Sequence, residues 1–200
     1  IDLERHGREE LSRDVDLSRT VGWFTSIAPV RLPVGTGALL DRVGEVRDRL
    51  RAAPDGGCGF GLLRYCNART AAALARLGQP QVLFNYLGRF GAPGSEAWRP
   101  APEGSALRVG PSPDLGTPYL LEVNAYCEDT PHGPELEVVL TYADGWLDDG
   151  DLGCLPDAFA AALRELAAAG GTGRPLDVHH PDLTASEVAA VTASTTVAVE

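Results

Sequence analysis

The chain predicts an α+β fold, a mainly antiparallel sheet carrying helices on its flank. Three observations lead there. Two segments rich in β-branched and aromatic residues, "YLLEVNAYCED" and "ELEVVLTYA", are joined through "TPHGP" as a hairpin would be. Leu39, Leu40, Val43, Val46 and Leu50 recur on one helical face. A third segment, "DLGCLPDAFAAALRELAAAG", is amphipathic and closes on glycine. Two hundred residues, 44% hydrophobic and 22% charged, suit one soluble domain or one large subdomain with a real core.

The elements follow in order. "RTVGWFTSIAPVRL" (residues 19–32) reads as one or two strands entering a core. "TGALLDRVGEVRDRLRAAP" is the first helix, stopped by Pro54 and the glycines after it. "DGGCGFG" is a glycine-rich loop, and "LLRYCNARTAAALARLG" one or two helices ending at Gly78. "PQVLFNYLGRF" begins as a strand and breaks at Gly88. Residues 91–118 are Pro/Gly-rich and loop-like, long enough to suggest a cover or a functional loop. After the hairpin and the amphipathic helix, "GGTGRP" reads as a linker. Thr184 and Glu187 then stand in capping-box spacing for a last short helix. The domain body is expected over 1–175, with 176–200 as an exit segment.

Composition removes several functions. A net charge of −11 offers no basic stripe for phosphates, so nucleic acid is an unexpected partner. All 17 basic residues are arginine, and with no methionine this suggests GC-biased coding more than function. Cys58, Cys66, Cys127 and Cys154 form no CxxC pair and no zinc spacing, so free thiols in a reducing cytoplasm are expected. No apolar run of membrane length and no signal peptide is visible, so no membrane partner is expected. The opening on Ile1, with no initiator methionine, suggests a segment cut from something longer or processed.

Some motifs dissolve under their own chemistry. "GGCGFG" lacks the lysine and hydroxyl of a phosphate loop and follows a helix, which leaves a structural turn. His179–His180 would need Asp and Gly at 184 and 185 to form HHxxxDG; Thr184 and Ala185 stand there instead.

Two motifs keep a chemical reading. Residues 4–10, "ERHGREE", taken alone are an exposed charged run, or else Glu4 is a proton-transfer group. In an extended stretch His6 and then Arg8 would share its side. Burial would raise the Glu4 pKa and a nearby arginine would lower it, and spacing leaves that balance open. In "FNYLGRF" Asn85 and Tyr86 fall on opposite faces of a strand, which is either a core strand or part of a site.

Taken together, "ERHGRE" (4–9), "RTVGWFTSIAPV" (19–30), "PDGGCGFG" (54–61) and "FNYLGRF" (84–90) resemble the epimerization domains of non-ribosomal peptide synthetases. That family carries EGHGRE, RTVGWFTxxYPV, PxxGxGYG and FNYLG in this order. The closing "HHPDLTASEV" resembles its exit segment. Sister condensation domains read VGxFxNTLPLR where this chain has "VGWFTSIAPVRL".

The resemblance implies a chloramphenicol-acetyltransferase-like subdomain, the C-terminal half of a V-shaped pair. The HHxxxDG histidine would lie on a missing N-terminal half, leaving this half by itself inactive. The implied reaction is conversion of an L-aminoacyl or peptidyl thioester to its D-epimer, in antibiotic and other secondary-metabolite synthesis. The substrate would ride on the 4'-phosphopantetheine of a peptidyl carrier protein, with downstream synthetase modules as further partners. No LGGxS carrier motif occurs here, so the arm is expected elsewhere, and no metal or cofactor is expected to bind directly.

By resemblance Glu4 is the acid/base on this half. Arg8 fixes it or balances enolate charge, and Asn85 and Tyr86 offer a proton or hydrogen bond to the enolate oxygen. His6 and Trp23 support the site. Arg5 stands in place of the family's glycine, where it could lower the Glu4 pKa or block the channel. Ala28 and Phe60 are milder departures. Two alternatives follow: a non-catalytic carrier-docking module of the same fold, or a condensation domain forming peptide bonds.

Overall fold

The computed structural model describes residues 1–8, 15–33, 35–90, 118–130, 133–142, 145, 149–170 and 195–199. Six strands form one sheet: β1 (Asp2–Arg5), β2 (Ser26–Pro29), β3 (Val82–Phe90), β4 (Leu121–Thr130), β5 (Gly133–Tyr142) and β6 (Thr195–Val199). Their spatial order is β2-β1-β3-β4-β5-β6. Helix α1 (Leu39–Arg51) follows β2; α2 (Gly59–Gly61) continues into a wider helical turn at Leu62–Cys66, and α3 (Ala71–Ala75) precedes β3. Helix α4 (Asp149–Gly170) connects β5 towards β6.

The α+β class holds, with helices flanking a sheet. The sheet is mixed and not mainly antiparallel. β1–β2 and β4–β5 are antiparallel, whereas β1–β3, β3–β4 and β5–β6 are parallel. Hairpins advertise themselves locally. Parallel neighbours are joined by long crossovers whose pairing no local pattern records.

One face of the sheet is the core. Register sets Val123 opposite Leu140 and Ala125 opposite Val138, and these four residues are buried. Leu155, Phe159 and Leu163 recur every four residues along α4 and pack on that cluster beside Phe84 and Leu136. Successive strand residues alternate faces. The other face therefore carries Asp2 and Glu4 of β1, Asn85 of β3, Glu122, Asn124 and Tyr126 of β4, and Glu135 and Glu137 of β5. This face is acidic.

Three local expectations change, and a fourth stretch takes one of its two readings. The strand expected over 19–32 is confined to Ser26–Pro29, and Val21 and Trp23 stand 100% and 90% exposed, with no neighbour among the described residues to pair against. The stretch after the glycine loop, expected as one or two helices, is two helical pieces separated at Asn67, whose Oδ1 accepts the Arg69 N–H at 2.9 Å. β3 does not break at Gly88: that residue adopts φ 92° and the register shifts between Tyr86 and Arg89, a bulge that lets the strand run to Phe90. β6 is an unforeseen strand, paired parallel to β5 within the expected exit segment. The expectations for the Pro/Gly-rich stretch (91–117), the "GGTGRP" linker, the 175/176 boundary, the His179–His180 pair and the last helix lie outside the described residues.

The glycine loop is a structural turn. Pro54–Gly57 forms a single tight turn in which Gly56 and Gly57 take φ 61° and 91°. A Cβ on Gly57 would come 3.0 Å from the Ala28 Cβ, so bare backbone is what lets this turn lie on β2. The four cysteines are free thiols.

Candidate functional site

β1 is held between β2 and β3, and its four residues set the site by simple alternation. Leu3 stands level with Phe84 on the core face, so Glu4 is turned to the acidic face. There it pairs in register with Ile27 of the edge strand. The Glu4 carboxyl is partly buried and its pKa is raised above the ordinary 4.5, first by burial and then by the Glu122 carboxylate. The balance left open by spacing thus goes upwards, with no arginine among the described residues lowering it.

Arg8 goes elsewhere. β1 ends at Arg5, and Gly7 turns the chain with φ 64°, so the alternation that would have aligned Arg8 with Glu4 stops. A Cβ at Gly7 would run into the Phe24 carbonyl, which reserves the turn for glycine. The Arg8 guanidinium donates to the Leu17 carbonyl at 2.8 Å and the Thr20 carbonyl at 2.9 Å, and lies 4.4 Å from the Phe24 ring centroid. It braces a loop. His6 supports the same turn, its Nδ1 accepting the Arg8 backbone N–H at 2.9 Å. Trp23, 90% exposed, is too open to act as a support of Glu4.

Arg5 occupies the core-side face, next to the bare backbone of Gly57. Its side chain therefore lies on the opposite face of the sheet from Glu4.

Asn85 joins Glu4 on the acidic face, and its Nδ2 donates to Asn124 Oδ1 at 3.3 Å. Tyr86 is on the opposite side of the sheet. Its hydroxyl donates to the buried Cys127 thiol at 3.5 Å, and burial pushes the phenol pKa up, so the proton stays on. The structure brings Glu4 and Asn85 together and brings neither Arg8 nor Tyr86 to them.

Four residues on or beside this face escape a reading of the sequence: Asp2, Tyr119, Glu122 and Asn124. The Tyr119 hydroxyl donates at 2.8 Å to Oδ2 of Asp2, a buried carboxylate. The signal available is the alternation of Glu122 and Asn124 with Leu121, Val123 and Ala125 in the first half of β4. What sequence lacks is the register that lays β4 two strands from Glu4. A cleft of about 1170 Å³ runs along β2, lined by Asp2, Ile27, Pro29, Arg64, Tyr65 and Tyr119 among others. Its lining includes Asp2, the residue before Leu3 on β1, and does not include Glu4. Among the described residues no cluster of His, Cys, Asp and Glu is arranged to hold a metal ion, and no helix is long and apolar enough to cross a membrane.

Known proteins are similar to this chain in sequence and in fold. A family model described as "Condensation domain" matches residues 1–172. A linear gramicidin synthase protein of Brevibacillus parabrevis is 38% identical over 173 residues, which is 84% of this chain and 3% of that protein. Surfactin synthase subunit 1 of Bacillus subtilis is 33% identical over 198 residues, 94% of this chain and 5% of that protein. The chain thus spans a small fraction of the length of these relatives. Among solved structures, the epimerization domain from the third module of tyrocidine synthetase B is similar with a TM-score of 0.52 and 33% identity. That match covers 64% of this chain and 28% of the other.

Proposed function

The chain belongs to the condensation-domain family, and from that premise we propose that it is part of an epimerization domain of a non-ribosomal peptide synthetase. The observation that carries the reading is Glu4: a partly buried carboxyl of raised proton affinity, facing outward from the sheet beside an amide pair, within "ERHGRE". The order of "RTVGWFT" and "FNYLG" behind it, and the 33% identity to an epimerization domain, support the same reading.

The substrate is an aminoacyl or peptidyl thioester on the phosphopantetheine of a carrier protein. Its Cα–H is acidic because the resulting enolate places charge on the thioester oxygen. Deprotonation moves the Cα–H bond pair into the enolate, and the proton passes to a base on one wall. Reprotonation at the other face re-forms the C–H bond with inverted configuration, the proton coming from an acid on the opposing wall. Glu4 is the acid/base of this wall. A carboxyl whose pKa is lifted towards the working pH both accepts and returns a proton more readily than an ordinary one. Asn85, held by Asn124, is a hydrogen-bond donor for the enolate oxygen. The opposing group comes from a partner half carrying HHxxxDG. The cleft along β2 offers apolar walls and Arg64 for the arm or the acyl side chain.

A condensation activity is the competing reading, favoured by the family description itself. The deciding experiment uses the complete synthetase with a loaded carrier in D₂O. Deuterium at Cα and a D-product, both severely reduced in Glu4→Gln, are expected. Dipeptide formation without Cα exchange would assign the domain to condensation, and carrier binding with neither product would leave only docking.

A further inference from the structure

We propose that the open edge of β2 is a strand-addition site for the upstream residues of a peptidyl substrate, so that peptidyl and not aminoacyl thioesters are the substrate class. The identity of the peptide rests on the reading of Glu4 as the acid/base. The edge itself does not.

β2 is the outermost strand on its side of the sheet. Val30 and Ile1 exchange both backbone hydrogen bonds: the Val30 N–H donates to the Ile1 carbonyl at 2.8 Å, and the Ile1 nitrogen donates to the Val30 carbonyl at 3.2 Å. In an antiparallel pair such residues alternate with ones whose backbone groups point away from the partner strand. The register therefore turns the Ile27 N–H and C=O, and the Pro29 C=O, outward from β1. Among the described residues nothing pairs with these three groups.

This edge opens on the cleft of about 1170 Å³, whose lining takes in residues 25–27 and 29–32. Facing walls come from the helical segments after the glycine turn, with Phe60, Leu62, Tyr65 and Leu74 among them. A row of backbone donors and acceptors beside apolar walls is what an extended peptide uses when it adds to a sheet. Such recognition reads the main chain and tolerates varied side chains. The phosphopantetheine arm fits it less well. Its two amides are set apart by two methylenes in place of one Cα, which loses the two-residue repeat shared by Ile27 and Pro29. Pro29 also lacks an N–H, so the edge pairs with a short chain and resists the strand of a second folded sheet.

The distance to Glu4 sets the length of peptide required. Ile27 stands level with Glu4 in the register, on the adjoining strand. A chain added outside β2 lies two strand spacings from β1, about 10 Å. Three extended residues span roughly that distance. A residue reacting at Glu4 thus leaves about three residues to cross β2, and those before them reach Ile27 and Pro29. Aminoacyl and dipeptidyl groups are too short to reach the edge.

The test is amide hydrogen exchange of Ile27 in this chain, with N-acetyl-Ala-Val-Thr-Val-Ala amide as the probe. At ten times its dissociation constant the peptide should slow Ile27 exchange about tenfold and leave Val138 in β5 unchanged. Single N-methylation along the probe should abolish protection at alternate amides and spare it at those between. In the complete domain, kcat/KM for Cα exchange should be alike for one- and two-residue thioesters and rise about tenfold for a long peptidyl one. No slowing at Ile27, or equal loss from methylation at every amide, overturns the strand site. Ile27 protection with the same kcat/KM at every length assigns the edge to a protein segment and overturns the peptidyl substrate. Absence of Cα exchange at every length overturns the Glu4 reading instead, and Ile27 exchange still judges the edge.

Discussion

Replacing Arg8 by alanine removes three contacts at once, and their sum can be worked from the structure. The guanidinium donates to two loop carbonyls at 2.8 and 2.9 Å and stacks 4.4 Å from the Phe24 ring. An exposed cation–π contact contributes about 0.5–1 kcal/mol. The hydrogen bonds are charge-assisted, but the side chain is exposed and water can take over its role, so their net contribution is discounted heavily. Together the brace is worth on the order of 1–2 kcal/mol, a factor of about 5–30 in the opening of the 17–24 loop. Amide hydrogen exchange reads this directly. The Thr20 N–H, bonded to the Leu17 carbonyl at 3.1 Å, should lose protection by that factor, while the amides of Val138 and Leu140 in β5 keep theirs. Arg8→Lys should fall between, since an ammonium carries the charge without the planar fork. Unchanged Thr20 protection in Arg8→Ala would refute the brace. A rise of the Glu4 titration midpoint in that variant would return Arg8 to the side of the carboxylate.

Two further outcomes follow from packing and proton linkage. Leu140, 2% exposed at the centre of the β4–β5–α4 cluster, should cost about 2–5 kcal/mol on replacement by alanine, seen as a lower urea midpoint with the same slope. Glu4 has its pKa raised in the folded state, so the folded chain binds the extra proton, and stability falls as pH rises from 4.5 through the raised value. Glu4→Gln should therefore equal the parent in urea unfolding below pH 4.5 and exceed it at neutral pH. Parity at both pH values would show that burial and Glu122 leave the carboxyl unperturbed.

Much of the fold was legible because its signals are local. The β4–β5 hairpin is written in the alternation of "LEVNAY" and "ELEVVLTY", and α4 in the spacing of Leu155, Phe159 and Leu163. Asn85 and Tyr86 fall on opposite faces as period two requires. The polar run at the chain start was harder. Glu4 and His6 share a parity in sequence, but a left-handed Gly7 turns the chain before Arg8, and that conformation is visible only once Phe24 is seen closing over it.

The site divides the same way. The amino-acid sequence by itself determined which chemistry-bearing residues exist, that Glu4 stands within a motif, and that strands and helices alternate as α+β. Only the tertiary structure decided which of them meet. Parallel pairing of β1, β3 and β4 brings Glu4, Asn85, Asn124 and Glu122 onto one face although they lie far apart along the chain. The same sheet keeps Tyr86 and Arg5 on the other face. The physical reason is that side-chain alternation is a local property, whereas register between distant strands is fixed by the burial of a shared core.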